Sequence, residues 1–306
     1  MTIRMILAAA ALSIAAQAAT AEELTGVLDK IRRTGTITLG HRESSIPFSY
    51  YDENERVVGY AMDLCYLAVD AVKARLGLPK LDVKLVPVTP SGRIPSILSG
   101  AIDLECGTTT NNLERQKVVS FSTTYFVAAN RFAARAAAKL RTLDDLKGKV
   151  VVSTIGSTNI KQISDLNGRQ NLNLTILAAK DNGEAFRMLE SNRADAFVMD
   201  DILLYSRVAD SANPGDYTVS DETLSIEPYG IMMRRDDPAF KKVVDDAIAA
   251  VYRSGEIEKI YAKWFQAPTL PKGINLNVPM SAPLKRAIAH LIDSGDPDAY
   301  RAGGTK

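Results

Sequence analysis

Ile102-Asp103-Leu104-Glu105-Cys106-Gly107-Thr108-Thr109-Thr110-Asn111-Asn112-Leu113-Glu114-Arg115 reads as a short buried strand, a hydroxyl-rich turn and an arginine just inside a helix. Consecutive threonines compete for backbone hydrogen bonds, so they favour caps and turns over helix interiors. Hydroxyls and free N–H groups at a helix start attract anions, and Arg115 adds a forked partner for a carboxylate. A plain N-cap followed by a surface arginine would account for this segment equally well. The surrounding chain decides between the two.

Upstream, Thr36–Leu39 reads as a strand, Tyr60–Leu76 as a helix with Leu64, Ala68, Val72 and Leu76 on one stripe, and Leu81–Val88 as a strand. A short helix over Arg93–Ser99 leads into the strand Ile102–Glu105. This β-α-β-α-β order predicts an α/β fold with a parallel, helix-covered sheet, whose ligands collect at the carboxyl ends of the strands. Arg42, Arg93 and Arg115 all follow such ends. A second α/β unit follows: strand Val150–Ser153, a helix opened by Gly156-Ser157-Thr158, strand Leu172–Ala178, helix Glu184–Glu190 and strand Ala196–Met199. That last strand delivers Asp200 and Asp201 at its end. Gly230–Arg234 reads as a strand, and Pro238–Ser254 and Ile257–Phe265 as helices, Trp264 being a packing residue. Residues 267–306, interrupted by Pro and Gly, read as a tail wrapping back over a lobe.

Met1–Arg4 followed by an apolar run from Met5 to Ala16 and small residues up to Ala21 reads as a secretory signal peptide over residues 1–21. Without Arg4 the 37 basic and 36 acidic residues balance, which argues against nucleic acid or an anionic membrane as the main partner. In an oxidising compartment the only two cysteines, Cys65 and Cys106, are a disulfide candidate; two buried thiols are the alternative.

Catalysis is poorly supplied. The two histidines, His41 and His290, have no metal-ligand spacing, and no nucleophile elbow or phosphate-binding glycine loop is present, so no cofactor or metal is expected. Three arginines around one cleft instead point to a dianionic ligand. For each, a surface position or a salt bridge with Glu43, Glu105 or Glu114 is the alternative. Asp200 could receive an ammonium or cap the following helix, and Asp201 competes for either task.

The chain resembles the glutamate/aspartate-binding proteins of bacterial ABC importers, in the polar amino-acid periplasmic-binding family. The likeness rests on Gly40–Ser44 with Pro47–Asp52, Val57–Tyr60, Glu105–Asn112, Glu114–Lys117, Ala179–Asp181, Met199–Asp201, Arg234–Pro238 and Lys263–Phe265, in order over nearly the whole mature chain. The resemblance implies a periplasmic-binding-protein fold, two α/β lobes joined by a two-strand hinge with the ligand between them. The crossings are expected near 128–131 and 227–230, giving lobe 1 as 22–129 with 229–280, lobe 2 as 130–228, and 281–306 as a C-terminal tail. It further implies Arg115 with Thr110 on the ligand's α-carboxylate, Thr108 and Asp200 on its α-ammonium, Arg42 and Arg93 on its side-chain carboxylate, and Thr158 closing from the second lobe. Two positions depart from the family: Pro90 stands where a hydroxyl is usual, with Ser91 one residue later, and Asn182 stands where close relatives carry histidine. Asn donates but carries no charge, which brings glutamine and asparagine into range as ligands beside L-glutamate and L-aspartate. The implied partners are the free amino acid and an inner-membrane permease, with a monomeric chain. The rival from another class is a dehydratase-like enzyme on the same fold, using Glu43 or Asp201 as its acid/base group.

Overall fold

The computed structural model describes residues 24–268 and 271–301; the expected signal peptide lies outside them. The first sheet has the order 82–87, 36–41, 104–106, 232–234, 119–121. Its first three strands are parallel, in register Leu39 to Leu85 and Leu39 to Leu104. Met232–Arg234 then runs antiparallel to both of its neighbours, so the expected all-parallel sheet is mixed. The sequence pattern around 230 marks a strand but not its direction, which depends on how the chain returns from the second unit.

The second sheet repeats the scheme, with Thr175–Ala179, Val150–Thr154 and Ala196–Asp200 parallel and Phe126–Arg135 antiparallel beyond them. The ten-residue strand Phe126–Arg135 is shared: Phe126 to Asn130 pair with Ser225–Tyr229, and Asn130 to Ala134 pair with Ala196–Asp200. The chain therefore changes sheets twice, between Phe121 and Phe126 and between Tyr229 and Met232, at one antiparallel pair. Two sheet-bearing α/β lobes result.

Helix Tyr60–Arg75 buries Leu64, Cys65, Ala68, Val69 and Val72 against the first sheet and the helix Pro238–Arg253. Burying one such side chain contributes about 1.5–3 kcal/mol. Cys65 on this helix and Cys106 at a strand end form a disulfide, with Cα atoms 6.1 Å apart. Trp264 is buried, donates to Asp63 at 2.7 Å and meets Tyr50 edge to face, a packing role.

The C-terminal segment contains a helix, Ala282–His290, that its Pro and Gly content did not suggest. Ser281 accepts from the Leu284 N–H and Pro283 sits in the first turn, where its missing donor costs nothing. This segment seats on the chain crossing. The Thr124 N–H donates to Ile292 O at 2.8 Å, and buried Tyr300 shares a 2.8 Å hydrogen bond with the Thr124 hydroxyl.

Candidate ligand-binding site

The carboxyl ends of the parallel strands in both lobes face one small cleft between them. Arg42, Arg93, Thr108 and Thr110 line it from the first lobe, and Thr158, Asn182 and Asp200 from the second.

Arg42 follows strand Thr36–His41 and Arg93 opens helix Arg93–Leu98; each is under 5% exposed. Arg93 donates to Thr108 O at 3.3 Å, and its Nε has no partner among the described residues. Burial and the neighbouring Arg93 charge pull the Arg42 guanidinium down to about 10. Arg115 sits in helix Leu113–Gln116, whose N-cap Asn112 accepts from the Arg115 N–H at 2.8 Å. Its guanidinium donates to Thr110 O at 2.8 Å and, across the cleft mouth, to Gly156 O at 3.2 Å. It is half-buried, and desolvation with the Arg93 charge pulls its guanidinium down to about 9.

Among the described residues none of these arginines has a carboxylate within salt-bridge distance, while Glu114 pairs with Lys117 at 2.7 Å. A buried cation without a counter-ion is costly, so this end of the cleft favours an anion that accepts from several guanidinium donors.

The opposite wall is acidic. Asp200 is buried; its Oδ1 accepts from Asn159 Nδ2 at 2.8 Å and its Oδ2 from the Tyr229 hydroxyl. Burial and the nearby Glu227 charge push its carboxyl up to about 7. Asp201, by contrast, accepts from the Ala129 and Ile202 N–H groups at 3.1 and 2.7 Å, tying the helix start to the crossing strand. The two aspartates thus divide the tasks: Asp200 faces the cleft and Asp201 is structural. Between the walls, helix Thr158–Gln170 points its N-terminus at the cleft, capped by Ser157, which accepts from Ile160 N at 3.2 Å. Free N–H groups there attract anions.

Ser91 lies at the rim. It is exposed, its hydroxyl is 3.3 Å from that of Thr89, and Pro90 takes the lining place. Asn182 accepts from Thr154 Oγ1 at 2.8 Å through its own oxygen, which leaves its NH₂ group free to donate. Sequence reasoning passed over Thr154, Ser157, Asn159, Met199 and Leu203, which also line the cleft, and Glu227 behind it. Ser157 and Asn159 had a readable signal, flanking Thr158 at a capped helix start; the others had none. His41 is buried with Nδ1 against Arg42 O, His290 is exposed, and Glu43 and Asp201 lie off the cleft lining.

Residues 37–267 match the bacterial extracellular solute-binding proteins, family 3. The chain is 51% identical over 274 residues to the L-glutamate/L-aspartate-binding protein of Pseudomonas aeruginosa, covering 89% of this chain and 91% of that one. It is 47% identical over 281 residues to the glutamate/aspartate import solute-binding protein of Escherichia coli, covering 92% and 93%. Among solved structures it resembles an ancestral arginine-binding protein bound to arginine, with a TM-score of 0.69 and 31% identity over 76% of this chain and 98% of that one.

Proposed function

This chain belongs to the bacterial extracellular solute-binding proteins, family 3, and we propose on that premise that it captures acidic amino acids, L-glutamate and L-aspartate, for an ABC importer. Its role is transport, as for its relatives, and not catalysis. One observation carries the ligand class: Arg42 and Arg93, buried without carboxylate partners, face a buried aspartate across the cleft, with Arg115 at its mouth.

In this reading Arg115, the Thr110 hydroxyl and the N-terminus of helix Thr158–Gln170 take the α-carboxylate. Asp200 and Thr108 take the α-ammonium, and Arg42, Arg93 and the Asn182 amide take the side-chain carboxylate. Lobe 1 comprises the described residues 24–129 with 229–268 and 271–280, lobe 2 is 130–228, and 281–301 form the tail. Bonds made from both lobes at once stabilise the state in which they meet, so the ligand favours closure by its affinity difference between states. The chain acts as a monomer in the periplasm after loss of residues 1–21, and hands its cargo to an inner-membrane permease. Calorimetry with L-glutamate, L-aspartate, L-glutamine and L-asparagine tests the assignment. Dicarboxylic ligands should bind at least about tenfold more tightly than their amides, as expected where a charge-assisted bond is lost. A preference for the amides would reverse it.

A further inference from the structure

Glu227 lies on the strand Ser225–Tyr229 opposite Ala128, fully buried, and outside the cleft lining. Both of its oxygens accept. Oε2 receives the Thr158 hydroxyl at 2.8 Å, and Oε1 receives Gln162 Nε2 at 2.7 Å and the Ser225 hydroxyl. A carboxylate has no hydrogen to offer, so the single hydrogen of Thr158 Oγ1 is committed to it. What Thr158 turns toward the cleft is therefore a pair of lone pairs. Thr110 Oγ1 stands 3.4 Å away and can give its hydrogen to that oxygen or to a ligand carboxylate. Asp200, on the same side, is likewise an acceptor.

We infer that Glu227 is a positioning residue for ammonium recognition: by holding the Thr158 hydroxyl as an acceptor, it makes this wall reward only ligands with a free α-amino group. The inference rests on the ligand reading above and deepens it. The backbone N–H groups at the start of helix Thr158–Gln170 still serve the α-carboxylate, so a zwitterion meets opposite polarities at one residue. Replacing Glu227 with glutamine keeps size and packing. An amide NH₂ facing Thr158 would donate to it and turn the hydroxyl hydrogen into the cleft, where it opposes an ammonium.

The test compares L-glutamate with glutarate, which lacks only the amino group, by calorimetry and by displacement in the native chain, Glu227→Gln and Thr158→Val. In Glu227→Gln the affinity for L-glutamate should fall roughly tenfold or more, the scale of one hydrogen bond to a charged group, while glutarate stays within about twofold. Thr158→Val should reproduce that selective loss. Equal losses for both ligands would mean that Glu227 only props the hinge, and unchanged affinity for L-glutamate would mean that Thr158 does not meet the ammonium; either overturns the inference alone. Failure of the native chain to bind L-glutamate would overturn the ligand reading and this inference together.

Discussion

Arg115 of one lobe donates to the carbonyl of Gly156 of the other at 3.2 Å, while the same guanidinium donates to Thr110 O within its own lobe. One side chain thus spans the mouth of the cleft, where the proposed assignment puts the ligand's α-carboxylate. Arg115→Ala should abolish binding of every amino acid, at a cost of about 3 kcal/mol or more, as for truncating one member of a buried charge pair. Arg115→Lys should recover little, because a point charge does not reproduce the planar fork. Calorimetry with all four candidate ligands checks both, and retained binding of any of them by Arg115→Ala would contradict the role.

Arg42 lines the cleft and, in the proposed assignment, meets the ligand's side-chain carboxylate, so its loss should be selective. Arg42→Ala should weaken L-glutamate and L-aspartate by about 2 kcal/mol or more and leave L-glutamine nearly unchanged. Equal losses across the series would place Arg42 in the scaffold instead.

At Gly156 the second lobe packs directly on the backbone of the first. Its φ is +79°, and a Cβ there would lie 2.6 Å from Ser91 Cα and 2.7 Å from Ser91 N. Backbone cannot yield as a flexible side chain can. Gly156→Val should fold, losing about 1–3 kcal/mol to the left-handed backbone, yet hold the lobes apart. Small-angle scattering should then show no compaction with L-glutamate, and affinity should drop at least about a hundredfold, the effect of blocking a closure worth a few kcal/mol.

Under the proposed assignment Asp200 should make binding pH-dependent. Its carboxyl is raised from 3.8 to about 7, first by burial and then by Glu227. A raised acid stabilises the ligand-free fold below its unfolded pKa and loses that contribution as pH climbs toward 7. Ammonium binding favours the ionised form, so affinity moves the opposite way. L-Glutamate should bind about tenfold more weakly per pH unit between pH 6 and pH 5, with little change above pH 8, and should release a proton on binding near pH 6. Calorimetry in buffers of different ionisation enthalpy measures that proton. No proton release at pH 6 would remove Asp200 from the ammonium site.

The Cys65–Cys106 bridge closes a 41-residue separation and anchors the strand end just before Gly107–Thr110. Replacing both cysteines with serine should cost about 3–4 kcal/mol of stability by the loop-entropy estimate. Denaturant melts of the native and substituted chains provide the comparison. Because the bridge holds the root of the loop 107–110 that lines the cleft, affinity for L-glutamate should fall as well.

Apart from the helices Gly26–Thr34 and Ala282–His290 and the strand pair Phe126–Arg135 and Ser225–Tyr229, sequence alone determined the order of the main strands and helices, the two α/β units, and the placing of Arg42, Arg93 and Arg115 after strand ends. All of these follow from periodicity, caps and turn residues, which act over a few positions along the chain. Tertiary structure decided which neighbour does what. Asp200 and Asp201 are alike in sequence, and only the register of Asp200 against Asn130 and the bonds of Asp201 to the Ala129 and Ile202 N–H groups separate them. It also decided the bridging of the cysteines, the antiparallel return of Met232–Arg234, and the seating of the C-terminal segment on the chain crossing. Thr158 and Glu227 meet across 69 positions, and Arg115 and Gly156 across 41. Contacts at such separations are set by how the sheets pair and pack, and no local pattern of residues encodes them.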